Sequence, residues 1–371
     1  MRRIIIRFQH HHMYIMLFSE TNVNRRTRRK FAILIYMDTE ILLKHTSRSL
    51  YLSVQALPRA MRPAFSVAYL LCRYADTIAD THLLPAERRL YWIERFPGMI
   101  HSQNPQEATQ LAREISGGSE NPYEEQLIKH LIPCLNWFNQ IPAPQQTIIM
   151  EVVQAVCEGM RMDLSTFPTR EGAAPIALKT PDELEHYCRL MGGMPGLFWS
   201  KLIYHTQRVA MPEEQFYELG QHVGDALQIV NILRDLPKDL PMGRCYFPQT
   251  DLEQAGLTPT ELLSSSNSAR FEPVKRQWIV WGLRRLASAK PYFRQLSRLH
   301  PGQRAAVAWP VLWTADTLYK VYEEKELLNS QKRVKISRNV IYSTMLLSPL
   351  VLVSNTAFCA WLDHKINRFS R

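Results

Sequence analysis

The chain has 371 residues and is 46% hydrophobic, which supports a substantial buried core and excludes a disordered or low-complexity protein. Its formal net charge is +11, but residues 1–36 carry eight basic residues against Glu20 alone, so +7 is local and only +4 is spread over the rest; no nucleic-acid partner is expected from this balance. Six cysteines (Cys72, Cys134, Cys157, Cys188, Cys245, Cys359) form no CxxC pair and no metal spacing, which argues against a zinc module and reads as reduced, buried thiols in a cytosolic setting.

Length alone suggests two domains, yet no linker divides the chain. The expected organisation is a basic extension over 1–36, one catalytic domain over 37–338 and an apolar segment over 339–371. Three readings of the extension stay open: a start chosen upstream of Met37, a disordered basic arm that touches anionic lipid, and a nucleic-acid arm. His10, His11 and His12 read as a solvated tail. No small-residue cleavage site follows a proper apolar core, so the segment does not read as a signal peptide.

Thr39 to Leu57 is a predicted first helix, ended by Pro58, with Ser47, Arg48, Ser49 and Tyr51 on it. Pro63 to Asp80 is the second. On it Asp76 and Asp80 stand four apart, Arg73 three before Asp76 and Tyr69 one turn further back, which places them on one helix face. The apolar run of Val67, Tyr69, Leu70 and Leu71 before the acids argues for burial. Residues 85–150 hold amphipathic helices broken at Pro97-Gly98, at 116–118 and at 142–144, with Trp92, Phe96, Trp137 and Phe138 as core; they are uninformative about chemistry. Thr147 to Leu164 is a further helix ending in Gly159, Met160 and Asp163, and for Asp163 a plain helix-terminal acid and a functional carboxylate are both open.

Pro181 to Tyr204 is predicted as a helix capped by Thr180 or Asp182 and broken or kinked at Gly192, Gly193, Pro195 and Gly196. Mid-helix glycines cost about 1 kcal/mol each, so they answer a need. Room for a long ligand is the expected one, and close helix–helix contact is the alternative. Gln228 to Pro248 then repeats the acidic pattern: Gln228, Asn231, Asp235 and Asp239 at spacings of three and four, flanked by Ile229, Val230, Ile232, Leu233 and Leu236. Gly243 to Pro248 reads as a turn. Pro273 to Leu299 and Ala305 to Leu328 are amphipathic helices, and 331–338 is basic. Val340 to Leu362 is 23 residues without a charge, flanked by basic residues; a capping or surface-lying helix and a membrane anchor are both open.

A polar stripe in an apolar helix is costly unless something satisfies it. Hard cations such as Mg²⁺ take oxygen ligands and reach phosphates through one or two carboxylates. Two acidic helix faces converging with arginines around them would therefore suit the ionisation of an allylic diphosphate.

In LLKHTSRSLYLSVQALP, CRYADTIADT, YCRLMGGMPG and LQIVNILRDLPKDLPMGRCYFP, in that order, the sequence resembles the squalene/phytoene synthases, most of all bacterial squalene synthases, over roughly Thr39 to Arg338. The resemblance implies an all-α, single-domain isoprenoid synthase bundle around a central cavity. It implies head-to-head joining of two farnesyl diphosphates through presqualene diphosphate to squalene, with Mg²⁺ and NADPH. Metal would be held by Asp76, Asp80, Asn231, Asp235 and Asp239. Arg73 and Tyr187 join the four aspartates as catalytic candidates. Ser47, Arg48, Tyr69, Gln228, Asn231, Arg234, Arg244, Tyr246 and Arg333 are the substrate-binding candidates. By the same resemblance the Tyr187 phenol points at the reacting carbons, and the 243–248 turn closes the site.

Leu50, Thr77, Met191, Pro195 and Lys238 depart from the family pattern, the last placing a positive charge beside Asp239. No nicotinamide fingerprint accompanies the motifs, so phytoene or dehydrosqualene formation without reduction is the alternative. A non-catalytic assembly factor of the same fold would have lost the acidic motifs, and both Asp pairs are intact here. An insoluble hydrocarbon product and basic ends make contact with the cytoplasmic face of a membrane the expected setting.

Overall fold

A computed structural model describes residues 54, 57–102, 104–117, 122–168 and 170–370. Ser47 and Arg48, the helix predicted from Thr39 and the basic extension lie outside the described residues, apart from Val54 and Leu57, which are buried.

In chain order the described helices are α1 (Arg62–Asp80), α2 (Ala86–Ser102), α3 (Pro105–Ile115), α4 (Pro122–Lys129), α5 (Leu131–Phe138), α6 (Ala143–Thr166), α7 (Pro181–Cys188), α8 (Met194–Thr206) and α9 (Glu213–Asp239). There follow α10 (Gln249–Gln254), α11 (Ser268–Leu286), α12 (Ala289–Gln295), α13 (Pro301–Glu323), α14 (Arg338–Val353) and α15 (Asn355–Ile366). The two strands, β1 (Ile176–Leu178) and β2 (Arg244–Pro248), form one parallel pair. The fold is all-α, as the sequence implies.

Helix α1 starts with a proline in its first turn, where the missing N–H is no loss, and ends at Thr81, which turns to extended backbone. Ala64, Val67, Ala68, Leu71, Tyr74, Ala75 and Ile78 bury one broad face of it. That face packs on α6, α6 packs on α8, and α8 packs on α9. The two acidic helices therefore stand apart, with other helices holding the distance between them.

The Pro181–Tyr204 stretch is broken as expected, and the break is a π-helical segment over Arg189–Gly193 between α7 and α8. Its glycines do not make room for a ligand, which corrects the expectation. A Cβ on Gly192 would lie 2.3 Å from the carbonyl oxygen of Gly224, and one on Gly196 would lie 2.2 Å from that of Gly220. In return, a Cβ on Gly224 would lie 2.0 Å from the oxygen of Gly192. The backbones of the broken helix and α9 are in direct contact, and side chains are excluded at the crossing. Gly193 faces Asp225, whose buried carboxylate takes both Arg189 nitrogens at 3.1 and 2.9 Å. This half-buried pair ties the π segment to α9.

The stretch after α9 is also corrected. Gly243 alone makes the turn, at φ 81°, in the left-handed region that a side chain resists, and Arg244 to Pro248 continue as a strand. Strand β1 supplies the partner, with Ile176 opposite Arg244. The uncharged C-terminal run is two helices rather than one, broken at Ser354, whose hydroxyl caps α15. Among the described residues no helix is long and apolar enough to cross a membrane. Phe358 stacks on Phe293 at 3.8 Å, and the buried Asp316 of α13 takes Lys365 at 2.6 Å and Arg368 at 2.8 Å. All six cysteines are free thiols.

Candidate active site

Asp80 is the last residue of α1 and Asp239 the last of α9. Both ends open toward β2, where Arg244 stands. The Arg244 guanidinium is 3.7 Å from Asp80 Oδ1. Burial works against its charge, and Tyr246, Asp163, Asp80 and Asp239 together outweigh that and raise its pKa above the ordinary range. One arginine thus sits among carboxylates from α1, α6 and α9.

Burial pushes the Asp239 carboxyl up to about 6, with Arg244 opposing and Asp235 adding to the rise. Lys238 is exposed and works in the same direction as Arg244, keeping Asp239 ionised. Asp235, half-exposed one turn earlier, is held by Arg234 through two bonds of 2.9 and 2.5 Å. Asn231 is exposed and Gln228 half-buried; Gln228 packs against the Gly192 backbone. On α1, Arg73 pairs with Asp76 at 3.1 Å, and Tyr69 is half-buried against the core.

The resemblance implies that the Tyr187 phenol points at the reacting carbons. In the structure Tyr187 is buried, with its hydroxyl donating to Asp163 Oδ2 at 3.0 Å. Tyr246 donates to the same oxygen at 2.9 Å, and the two rings lie 4.7 Å apart. Burial raises both phenols well above their usual range, so neither gives up its proton readily. Asp163 is itself pushed up to about 7 by burial, against the pull of Arg244 and the two tyrosines. Its Oδ1 is buried without a hydrogen-bond partner. Asp163 is therefore packed with Tyr187, Tyr246 and Arg244 rather than left as an isolated helix-terminal acid.

Arg89 was not anticipated. Its guanidinium donates to the Ala79 carbonyl at 2.7 Å, holding the end of α1 just before Asp80. Nothing in the sequence marks it. Arg333 stands exposed between α13 and α14, and no ion pair joins it to the acidic motifs among the described residues.

The donors are hard oxygens: four carboxylates and an amide. Among the described residues no three acidic, histidine or cysteine side chains gather closely enough to cage an ion. Mg²⁺ does not require such a cage, since it keeps waters and completes its shell with substrate phosphates. The desolvated Asp239 and the gap between α1 and α9 fit a cation shared between protein and diphosphate. NADPH is a different matter. The described residues hold one two-stranded pair and no strand–glycine turn–helix unit to carry a dinucleotide.

An all-α bundle with two acidic helix ends facing one arginine is the isoprenoid synthase architecture. It superposes on the TcSQS complex with the ligand BPH1237 at TM-score 0.69, 20% identity, covering 90% of this chain and 97% of that one. It superposes on a dehydrosqualene synthase in complex with ligand at TM-score 0.60 and 18% identity, covering 87% and 98%. These likenesses show the fold. The chain belongs to the squalene/phytoene synthase family, whose sequence pattern it matches over residues 43–340.

Among curated relatives, it is 29% identical over 241 residues to a bifunctional lycopene cyclase/phytoene synthase of Phaeosphaeria nodorum, covering 64% of this chain and 38% of that protein. The 15-cis-phytoene synthase of Synechocystis is 27% identical over 287 residues, covering 74% and 71%. The presqualene diphosphate synthase of Rhodopseudomonas palustris is 28% identical over 215 residues, covering 57% and 62%. The chain thus spans about two fifths of the length of the fungal bifunctional relatives.

Proposed function

We propose that this chain joins two farnesyl diphosphates head to head to presqualene diphosphate, and carries that intermediate on to squalene with NADPH. The observation that carries the first half is Arg244, flanked by Asp80 from one acidic helix and Asp239 from the other. A diphosphate seated there meets carboxylates from two sides and an arginine between them.

Mg²⁺ bound by Asp76, Asp80, Asn231, Asp235 and Asp239 would supply the positive charge that makes diphosphate a good leaving group. Arg244, and Arg73 and Arg234 on the turns carrying Asp76 and Asp235, neutralise what remains and stay in place as the carbon–oxygen bond breaks. The double bond of the second farnesyl diphosphate attacks the allylic carbon as diphosphate leaves, and closure of the cyclopropane ring gives up a proton to that diphosphate. The buried faces of Tyr187 and Tyr246 keep water from the cation, and their protons stay on oxygen because both phenols are shifted upward. The reductive half is drawn from family likeness, and no step is derived through NADPH.

A second reading is phytoene synthesis from two geranylgeranyl diphosphates, favoured by the phytoene synthases among the relatives. Purified protein, supplied with Mg²⁺ and either diphosphate, with and without NADPH, separates these by mass spectrometry of the extract. Squalene that requires NADPH supports the full proposal. Presqualene diphosphate or dehydrosqualene in both conditions removes the reductive half. Turnover of geranylgeranyl diphosphate alone replaces the substrate, and release of diphosphate from neither ends the enzymatic reading. We place the reaction at the cytoplasmic face of a membrane, because the product is insoluble in water.

A further inference from the structure

Five of the exposed large hydrophobic side chains stand on one helix, α14: Tyr342 at 63% exposure, Leu346 at 80%, Leu347 at 51%, Leu350 at 71% and Val353 at 59%. At 100° per residue, Tyr342, Leu346, Leu350 and Val353 lie within one quadrant of the helix, and Leu347 lies about 60° outside it. Thr344, Ser348, Val351 and Leu352 occupy the opposite side and are buried. The two polar side chains on that inner side, Thr344 and Ser348, bond to carbonyls of their own helix. The helix is thus seated on the bundle by its inner side, and its outer face is apolar apart from Asn339 and Ser343.

The charged residues nearest this helix in sequence on its N-terminal side are basic. Lys335 and Arg338 are exposed at its start, and no acidic residue occurs between Glu326 and Asp363. An apolar strip with Lys335 and Arg338 exposed at its start fits an anionic lipid surface. A second copy fits less well. A strip one helix wide offers a few hundred Å², short of the roughly 800 Å² per partner of a stable interface.

We infer that α14 lies in the plane of an anionic membrane, with Tyr342, Leu346, Leu350 and Val353 among the acyl chains and Lys335 and Arg338 at the headgroups. This rests on the membrane-surface reading above and gives it a specific face. The helix runs along the outside of the bundle. Val334, just before it, packs in the same cluster as Leu236, Leu240 and Tyr246, at the end that carries the diphosphate site. Asn355, just after it, bonds Arg304 near the start of α13, at the other end. Docking by α14 therefore lays the bundle lengthwise against the lipid.

The test is co-sedimentation of full-length protein with phosphatidylcholine vesicles, with and without phosphatidylglycerol. Wild type, L346E/L350E, K335E/R338E and the control L263E, which adds an acid at an exposed leucine elsewhere, are compared. The expected result is binding that requires phosphatidylglycerol, falls about tenfold or more in L346E/L350E, weakens in K335E/R338E and with added salt, and is unchanged in L263E. Unchanged melting temperatures and diphosphate release in detergent show that L346E/L350E folds. If wild type and L346E/L350E bind alike, the α14 face is wrong while the membrane reading stands. If wild type does not bind, both fall. A lipid-free dimer that L346E/L350E dissociates assigns the face to a second copy and overturns the proposal.

Discussion

The carboxylate of Asp80 and the guanidinium of Arg244 lie 3.7 Å apart, although 163 positions separate them in the chain. Asp80 ends α1, and Arg244 opens β2 immediately after the Gly243 turn. This approach is what turns two acidic motifs into one site, because α1 and α9 are not packed on each other.

Arg244→Ala is expected to lower kcat for diphosphate release by about 100-fold or more, the scale for losing one fixed charge at a developing anion. Arg244→Lys keeps a point charge without the planar fork and is expected to recover only part of the rate. Steady-state kinetics with farnesyl diphosphate at saturating Mg²⁺ measures both. Equal rates for the two variants and wild type would remove Arg244 from the site.

Asp163 makes a prediction about stability and pH. Its folded pKa is raised to about 7 from an ordinary 3.8, so the folded state holds a proton that the unfolded state has lost. Between pH 4 and 7 folding takes up that proton, and this group's contribution to stability falls as pH rises. Asp163→Asn has no charge to form, and it still accepts from Tyr187 and Tyr246. Urea unfolding of the metal-free variant is expected to show a smaller loss of stability from pH 5 to pH 8 than wild type. An unchanged slope would mean that Asp163 ionises normally.

The glycine contacts separate two kinds of position. Gly224→Ala forces a Cβ to 2.0 Å from the Gly192 oxygen, backbone that has no freedom to move, and is expected to cost at least about 2 kcal/mol. Gly98→Ala in α2 meets nothing within 4 Å and is expected to gain about 0.5–1 kcal/mol from a stiffer unfolded chain and better helix propensity. Denaturation midpoints of the two variants test the contrast; equal effects would deny the close crossing.

The acidic motifs were legible because a spacing of four is a property of the helix itself, independent of the rest of the fold. The glycines were not, because a glycine shows only that something comes close. The signal that resolves them is a second pair: Gly192 and Gly196 stand four apart, and so do Gly220 and Gly224, each pair matching the other across the crossing. Tyr187 was found by resemblance, but its partner Asp163 lies 24 residues earlier on another helix, and no local pattern links them. The C-terminal run was ambiguous for a physical reason. Absence of charge fits a span, and only the capping Ser354 and the buried hydroxyls of Thr344 and Ser348 mark two short helices on a protein surface.

Asp235 offers the clearest separation of chemistry from stability. It is half-exposed, and its pair with Arg234 is a surface pair, so Asp235→Asn is expected to change stability by no more than about 1 kcal/mol. The same change removes a hard oxygen charge where cation and diphosphate would meet, and frees Arg234 from its bidentate partner. The expected outcome is a fall in kcat of about 100-fold or more, with a higher Mg²⁺ concentration for half-maximal rate. Chelation by EDTA is expected to stop diphosphate release in wild type, and added Mg²⁺ to restore it. A Mg²⁺ titration of wild type and variant, read by diphosphate release beside a melting curve, measures both halves. A variant with wild-type Mg²⁺ dependence and rate would remove Asp235 from the cation site and leave Asp239 as the α9 carboxylate to hold it.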